Sequence, residues 1–115
     1  MREPIRDKER LEHMLQAMMY IEEGLQMHTP EQIQKDLIVY YGFVKQLEII
    51  GEAVYMLTKE FRENHPDTPW KKIEGMRHVL VHGYYAINFV QLFRVINEDL
   101  PILRPQIEAY ITELS

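Results

Sequence analysis

A chain of 115 residues can form one domain, residues 1–115, and can bury well over half of its unfolded surface without covalent staples. It has no cysteine, which excludes a disulfide framework and a thiolate zinc site and fits a reducing cytoplasm. The formal charge of −5 argues against a general nucleic-acid binder, which would carry a basic face, unless its few cations converge on one cleft. Charges interrupt every apolar stretch before it reaches membrane-spanning length. The N-terminal Met1-Arg2-Glu3-Pro4-Ile5-Arg6-Asp7 has no apolar signal core behind it, so a soluble protein that stays where it is made is expected.

The periodicity is helical throughout. A first helix is expected from Asp7, as N-cap, to Met27, with Leu11, Met14, Met18, Ile21 and Leu25 as its apolar seam. Thr29 can cap a second helix, with Pro30 in its first turn and Gln32 completing a capping box. Its seam continues through Ile33, Leu37, Tyr40, Val44, Leu47, Gly51, Val54, Thr58 and Phe61, widened by Phe43, Ile50 and Leu57. One uninterrupted helix along that stripe would be the spine of a bundle, and Gly51 would admit a close neighbour. Asn64-His65-Pro66-Asp67-Thr68-Pro69 reads as a turn.

A third helix is expected from Pro69-Trp70 to His82 or Tyr84. Asn88 can cap a fourth, with Phe89, Phe93, Ile96, Leu100, Leu103, Ile107, Tyr110 and Leu114 along its seam. Pro101 and Pro105 should kink it or split it in two. The sum is an all-α, up-and-down bundle of four or five helices with a kinked C-terminal helix, its seven methionines filling core gaps.

The third helix carries the residues capable of chemistry. At about 100° per residue, Trp70, Ile73, Leu80 and Tyr84 form an apolar stripe with Arg77 on its edge. Lys71, Gly75, His78 and His82 form a second stripe, which resembles the wall of a polar cleft. An ideal helix separates Arg77 from His82 by about 140°, so the two converge only if the helix ends or unwinds near Gly83. His82 would then sit at a helix C-terminus, where the dipole favours the imidazolium and suits proton transfer.

Plainer readings stand beside this one. Arg77 can pair with Glu48 or Glu52 inside a bundle, and His82 can be a C-cap histidine. Of Tyr84 and Tyr85, one belongs in the core. His78 and His82 have i, i+4 spacing, but no third ligand is evident and no metal or cofactor is expected. Glu52 lies opposite the apolar seam, either solvated or at a cleft or dimer interface. Lys71 and Lys72 are surface charges that could aid the approach of a polyanion, with Lys71 a candidate cleft residue.

Arg77, four residues, His82, one residue and Tyr84 resemble the R-x(4–6)-H-x-Y motif of HepT-like proteins in the HEPN superfamily. Ile50-Gly51-Glu52-Ala53 is similar to the family's IGEA segment. Trp70, Ile73 and Gly75-Met76-Arg77 resemble its approach to the motif, and Leu100-Pro101 with a helical tail is similar too. The resemblance spans Leu11 to Leu114. It implies a toxin endoribonuclease that needs no metal, in which a ribose 2′-OH attacks the adjacent phosphate across a composite homodimer cleft. By this likeness His82 moves the proton, Arg77 holds the phosphate, and His78 is a supporting polar contact. An MNT-type nucleotidyltransferase antitoxin would silence the enzyme by AMPylation of Tyr84. The alternatives are a non-catalytic helical module that binds a nucleotide or other partner beside a nucleotidyltransferase, and a dimeric scaffold with an idle cleft.

Overall fold

The computed structural model describes the backbone of residues 4–81 and 88–115 and the side chains of residues 6–75 and 88–115. Its described elements are α1 (Pro4–Met27), α2 (Pro30–Lys35), α3 (Leu37–Met56), α4 (Lys59–Asn64), α5 (Trp70–Val81), α6 (Phe89–Arg94), a π-helical turn (Val95–Asp99) and α7 (Leu100–Leu114). All are helical, as the periodicity requires. The central α3 packs against both α1 and α5, and α7 lies against α1. Leu11, Met14, Met18 and Ile21 of α1 meet Leu47, Ile50 and Val54 of α3 and Ile107 of α7 in one buried core. Arg104 of α7 pairs with Glu22 of α1, and that hydrogen bond raises the guanidinium's pKa above its ordinary value. No described helix is long and apolar enough to cross a membrane.

Two local readings of helix starts hold. Thr29 and Gln32 exchange both bonds of the capping box, with Thr29 N–H donating to Gln32 Oε1 at 2.8 Å. Asn88 Oδ1 accepts from Gln91 N–H at 2.9 Å and starts α6. The segment after Asn64 is the expected turn. The expected irregularity near Pro101 takes the form of the π-helical turn just before it, closed by a bond from Leu100 N–H to the Val95 carbonyl. Pro101 has no N–H to continue the ladder and sits in the first turn of α7, while Pro105 is accommodated inside that helix. Met14 and Met18 fill the core as expected, whereas Met19 and Met27 are exposed.

Two expectations are corrected. The long second helix is broken twice, at Asp36 and at Leu57-Thr58. Asp36 N–H closes α2 onto the Gln32 carbonyl, while its carboxylate accepts from Ile38 N–H (3.0 Å) and Val39 N–H (3.4 Å) to start α3. A short carboxylate that captures nearby amides competes with the helix ladder. The apolar stripe therefore does not run straight across the break, and Leu37 is 45% exposed although Ile33 and Tyr40 on either side are buried.

Asp7 does not cap the first helix, which begins at Pro4. Its carboxylate is buried and reaches across to the end of α3. Thr58 donates to it twice, from its N–H to Oδ1 (2.9 Å) and from its hydroxyl to Oδ2 (2.7 Å). The same hydroxyl accepts from Phe61 N–H at 3.1 Å and so caps α4. Asp7→Ala strands two partly buried donors and should cost about 2–3 kcal/mol in urea unfolding. Asp7→Asn keeps one acceptor and should cost clearly less; no loss in either variant would show that the network carries no stability.

Candidate functional site

Helix α5, which carries the first part of the motif, is fastened at its start. Trp70 is buried, and its indole N–H donates to the His65 carbonyl at 2.9 Å. Its ring packs with Phe61 and Tyr110, each at a centroid distance of 5.9 Å. The buried Thr68 hydroxyl donates to Gln106 Oε1 (2.9 Å), which leaves its oxygen to accept from the Tyr110 hydroxyl at 2.6 Å. His65 Nδ1 donates to the Phe61 carbonyl (2.7 Å), its Nε2 lies 2.6 Å from Glu113, and its ring stacks on Phe61. Three further ties act on α5 itself: Ile73 is buried, Arg62 pairs with Glu74 at 3.5 Å, and Lys72 pairs with Asp99 at 3.2 Å.

The chain beyond the motif is also anchored. Asn88 N–H donates to the Tyr40 hydroxyl at 3.1 Å, and the buried Tyr40 ring meets Phe89 edge-on at 4.9 Å. Both flanks of the motif segment are thus tied to the bundle, one through α4 and α7 and the other through α3.

The predicted residues fall into three groups. Arg77 and His78 lie on the last turns of α5, with their side chains outside the described residues, as is that of Leu80. His82, Gly83, Tyr84 and Tyr85 lie outside the described residues altogether, and with them the expected end of the helix near Gly83. Glu52 and Lys71 are described, and both are exposed. The buried Trp70 and Ile73 agree with the apolar stripe, and among the described residues an added Cβ at Gly75 would meet nothing within 4 Å. Glu48 pairs with Lys45 at 3.6 Å. With Glu52 these two line a groove of about 180 Å³ between α1 and α3, whose other wall carries Arg10 and His13. Among the described residues no cluster of three or more His, Asp or Glu could hold a metal.

The sequence pattern of the family described as "Ribonuclease HepT-like" matches residues 14–110, which takes in α3, α5 and the whole motif. The chain belongs to the HepT-like ribonuclease family. It is 42% identical over 98 residues to "Putative RNase TTE0752" of Caldanaerobacter subterraneus subsp. tengcongensis, covering 85% of this chain and 88% of that one. It is 32% identical over 101 residues to "Probable ribonuclease HepT" of Thermococcus cleftensis, covering 88% and 92%. No solved structure matches it significantly. Among its described residues this HepT-like chain is all-helical, as the resemblance implied.

Sequence reasoning missed the contacts that dock α5. Lys72 is not merely a solvated charge, and Thr68 is not merely a turn residue. The turn composition marked the segment as a loop, but a threonine between two prolines carries no sign of a partner 38 residues away. Thr68→Val removes the hydroxyl shared by Gln106 and Tyr110 and should cost about 1–2 kcal/mol. Hydrogen exchange at the Lys71–Gly75 amides should quicken more than at the α1 core; an unchanged α5 would reject this network as its anchor.

Proposed function

We propose that this chain works as a single helical domain, a metal-independent endoribonuclease of toxin type, with Arg77 and His82 as its catalytic pair. The observation that carries the reading is the uninterrupted Arg77-x4-His82-x-Tyr84 motif in a chain of the HepT-like ribonuclease family. Relatives that match most of this chain are named as ribonucleases, which supports RNA as the substrate. The anchoring of both flanks supports a preorganised site, since a proton-transfer group must be held in place to be effective.

The chemistry follows from the two side chains. The ribose 2′-oxygen attacks the adjacent phosphorus as its proton leaves, and the bond to the departing 5′-oxygen breaks. The products are a 2′,3′-cyclic phosphate and a 5′-hydroxyl. His82 moves the proton at one of these oxygens, and Arg77 binds the non-bridging oxygens as their charge develops. His78 supports the phosphate contact. A homodimer would bring two copies of the pair to one cleft, with Glu52 and Lys71 at its margin. A partner nucleotidyltransferase, acting as antitoxin, would transfer AMP from ATP to the Tyr84 hydroxyl, releasing pyrophosphate and filling the phosphate site with bulk and negative charge. The absence of cysteine supports a cytoplasmic setting.

RNA cleavage should proceed in EDTA and leave cyclic phosphate ends. His82→Ala should slow it by about 100-fold or more, the usual contribution of a general acid or base, and Arg77→Ala should act comparably. Undiminished cleavage by His82→Ala, or a requirement for added metal, would overturn the mechanism. Incubation with the partner transferase and ATP should modify Tyr84 alone, as read by peptide mass spectrometry. An adduct on Tyr85 instead would displace the assignment.

A further inference from the structure

We propose that the crevice between α1 and α3 is a binding track for single-stranded RNA, with phosphates at one end and a base at the other. The proposal rests on the ribonuclease reading, which supplies the polymer, but it uses none of the motif residues. Two adjoining grooves form the crevice. One, of about 180 Å³, holds the side chains of Arg10, His13 and Lys45. The other, of about 350 Å³, is lined by Tyr20, Gly42, Phe43 and Gln46.

Helical spacing makes the two grooves one feature. On α1, Arg10, His13, Tyr20 and Gly24 fall at intervals of 3, 7 and 4, which keeps them on one face. On α3, Gly42, Gln46, Ile49 and Ala53 do the same at intervals of 4, 3 and 4. His13 and Tyr20 stand two turns apart, about 10 Å along the axis. At about 3.4 Å per stacked nucleotide that distance spans two or three nucleotides.

Each end has its own chemistry. Arg10, His13 and Lys45 share this small groove with Glu48 and Glu52, and among the described residues neither Arg10 nor His13 forms an ion pair. The Lys45–Glu48 pair is long and exposed, so a phosphate can compete for the lysine. Glu48 and Glu52, on the same wall, can accept from ribose hydroxyls.

At the other end, the exposed ring of Tyr20 stands beside open space. Phe43 is buried and forms the floor of the groove, packed so closely on Gly24 that a Cβ there would lie 2.8 Å from its ring. Tyr20 is half exposed beside it, and a Cβ at Gly42 would meet nothing within 4 Å. Gln46 Oε1 is buried and has no hydrogen-bond donor among the described residues. Rotation of that flexible amide toward the groove would let it accept from a base N–H. Cations that follow a backbone and aromatics that stack bases are the two components of single-strand binding surfaces.

The test uses the full chain carrying His82→Ala, so that bound RNA is not cut, with a short fluorescent oligoribonucleotide and anisotropy as readout. Gly42→Leu adds bulk to the groove from a position where a Cβ meets nothing within 4 Å, and Tyr20→Ser removes the exposed ring without opening the core. Each should weaken binding by about tenfold, within the usual range for loss of one stacked base. Arg10→Gln should flatten the salt dependence by about 0.7 in the logarithmic slope, as expected for one lost contact to a single strand. An oligonucleotide made abasic throughout should bind the Gly42→Leu and parent proteins alike. Unchanged RNA affinity in both Gly42→Leu and Tyr20→Ser overturns the track, even if the cleavage assay upholds the ribonuclease. If those variants instead alter self-association by light scattering and leave RNA affinity alone, the crevice is a protein interface and the proposal fails.

Discussion

The buried carboxylate of Asp7 takes both donors of Thr58, from a position 51 residues earlier in the chain. That contact closes off α3 and turns the backbone into α4, because the threonine hydroxyl that gives its proton to Asp7 still has an oxygen free to cap the next helix. A buried carboxylate is tolerable only when its oxygens are bonded, and here both are. Without this corner the apolar stripe of α3 could continue as one longer helix. His65, Thr68 and Trp70 would then lose the positions from which they meet α7. The path of the chain into α5 therefore depends on a polar contact inside an otherwise apolar bundle.

From that corner the motif helix inherits its setting. Phe61, His65, Trp70 and Tyr110 form one aromatic cluster, and hydrogen bonds from Trp70 and Thr68 fix the turn beneath it. At the far side of the motif, the Tyr40 hydroxyl receives the Asn88 amide. Both flanks of the motif segment are therefore tied to the bundle. Membership of the HepT-like ribonuclease family and the anchoring of this segment come from independent observations, and both direct attention to the same part of the chain.

The acidity of the chain is less paradoxical when charge is followed through space. Glu22, Glu31, Glu63, Asp99 and Glu113 are engaged with Arg104, Lys35, Lys59, Lys72 and His65, pairs that brace helices or lie on the surface. Arg10, His13 and Lys45 meet in one crevice, together with Glu52 and with Glu48, which pairs with Lys45. A polyanion responds to local potential within about a Debye length, roughly 8–10 Å at ordinary salt, more than to a net charge summed over the whole molecule.

Much of this was legible in the residues alone. The helical period, the caps at Thr29 and Asn88, the turn after Asn64 and the seam of α1 are local properties, set by side-chain spacing and by atoms within a few residues of one another. The Arg77-x4-His82-x-Tyr84 spacing is likewise a property of the sequence itself. The breaks at Asp36 and Thr58 were hidden because apolar residues recur at helical intervals straight through them, and periodicity does not register a side chain that captures an amide. Asp7 was equally plausible as a cap, since the same carboxylate can serve a nearby amide or a distant one. Only the packed bundle chose between them: burial removed water as a competing partner and brought Thr58 to Asp7, Gln106 to Thr68 and Asn88 to Tyr40.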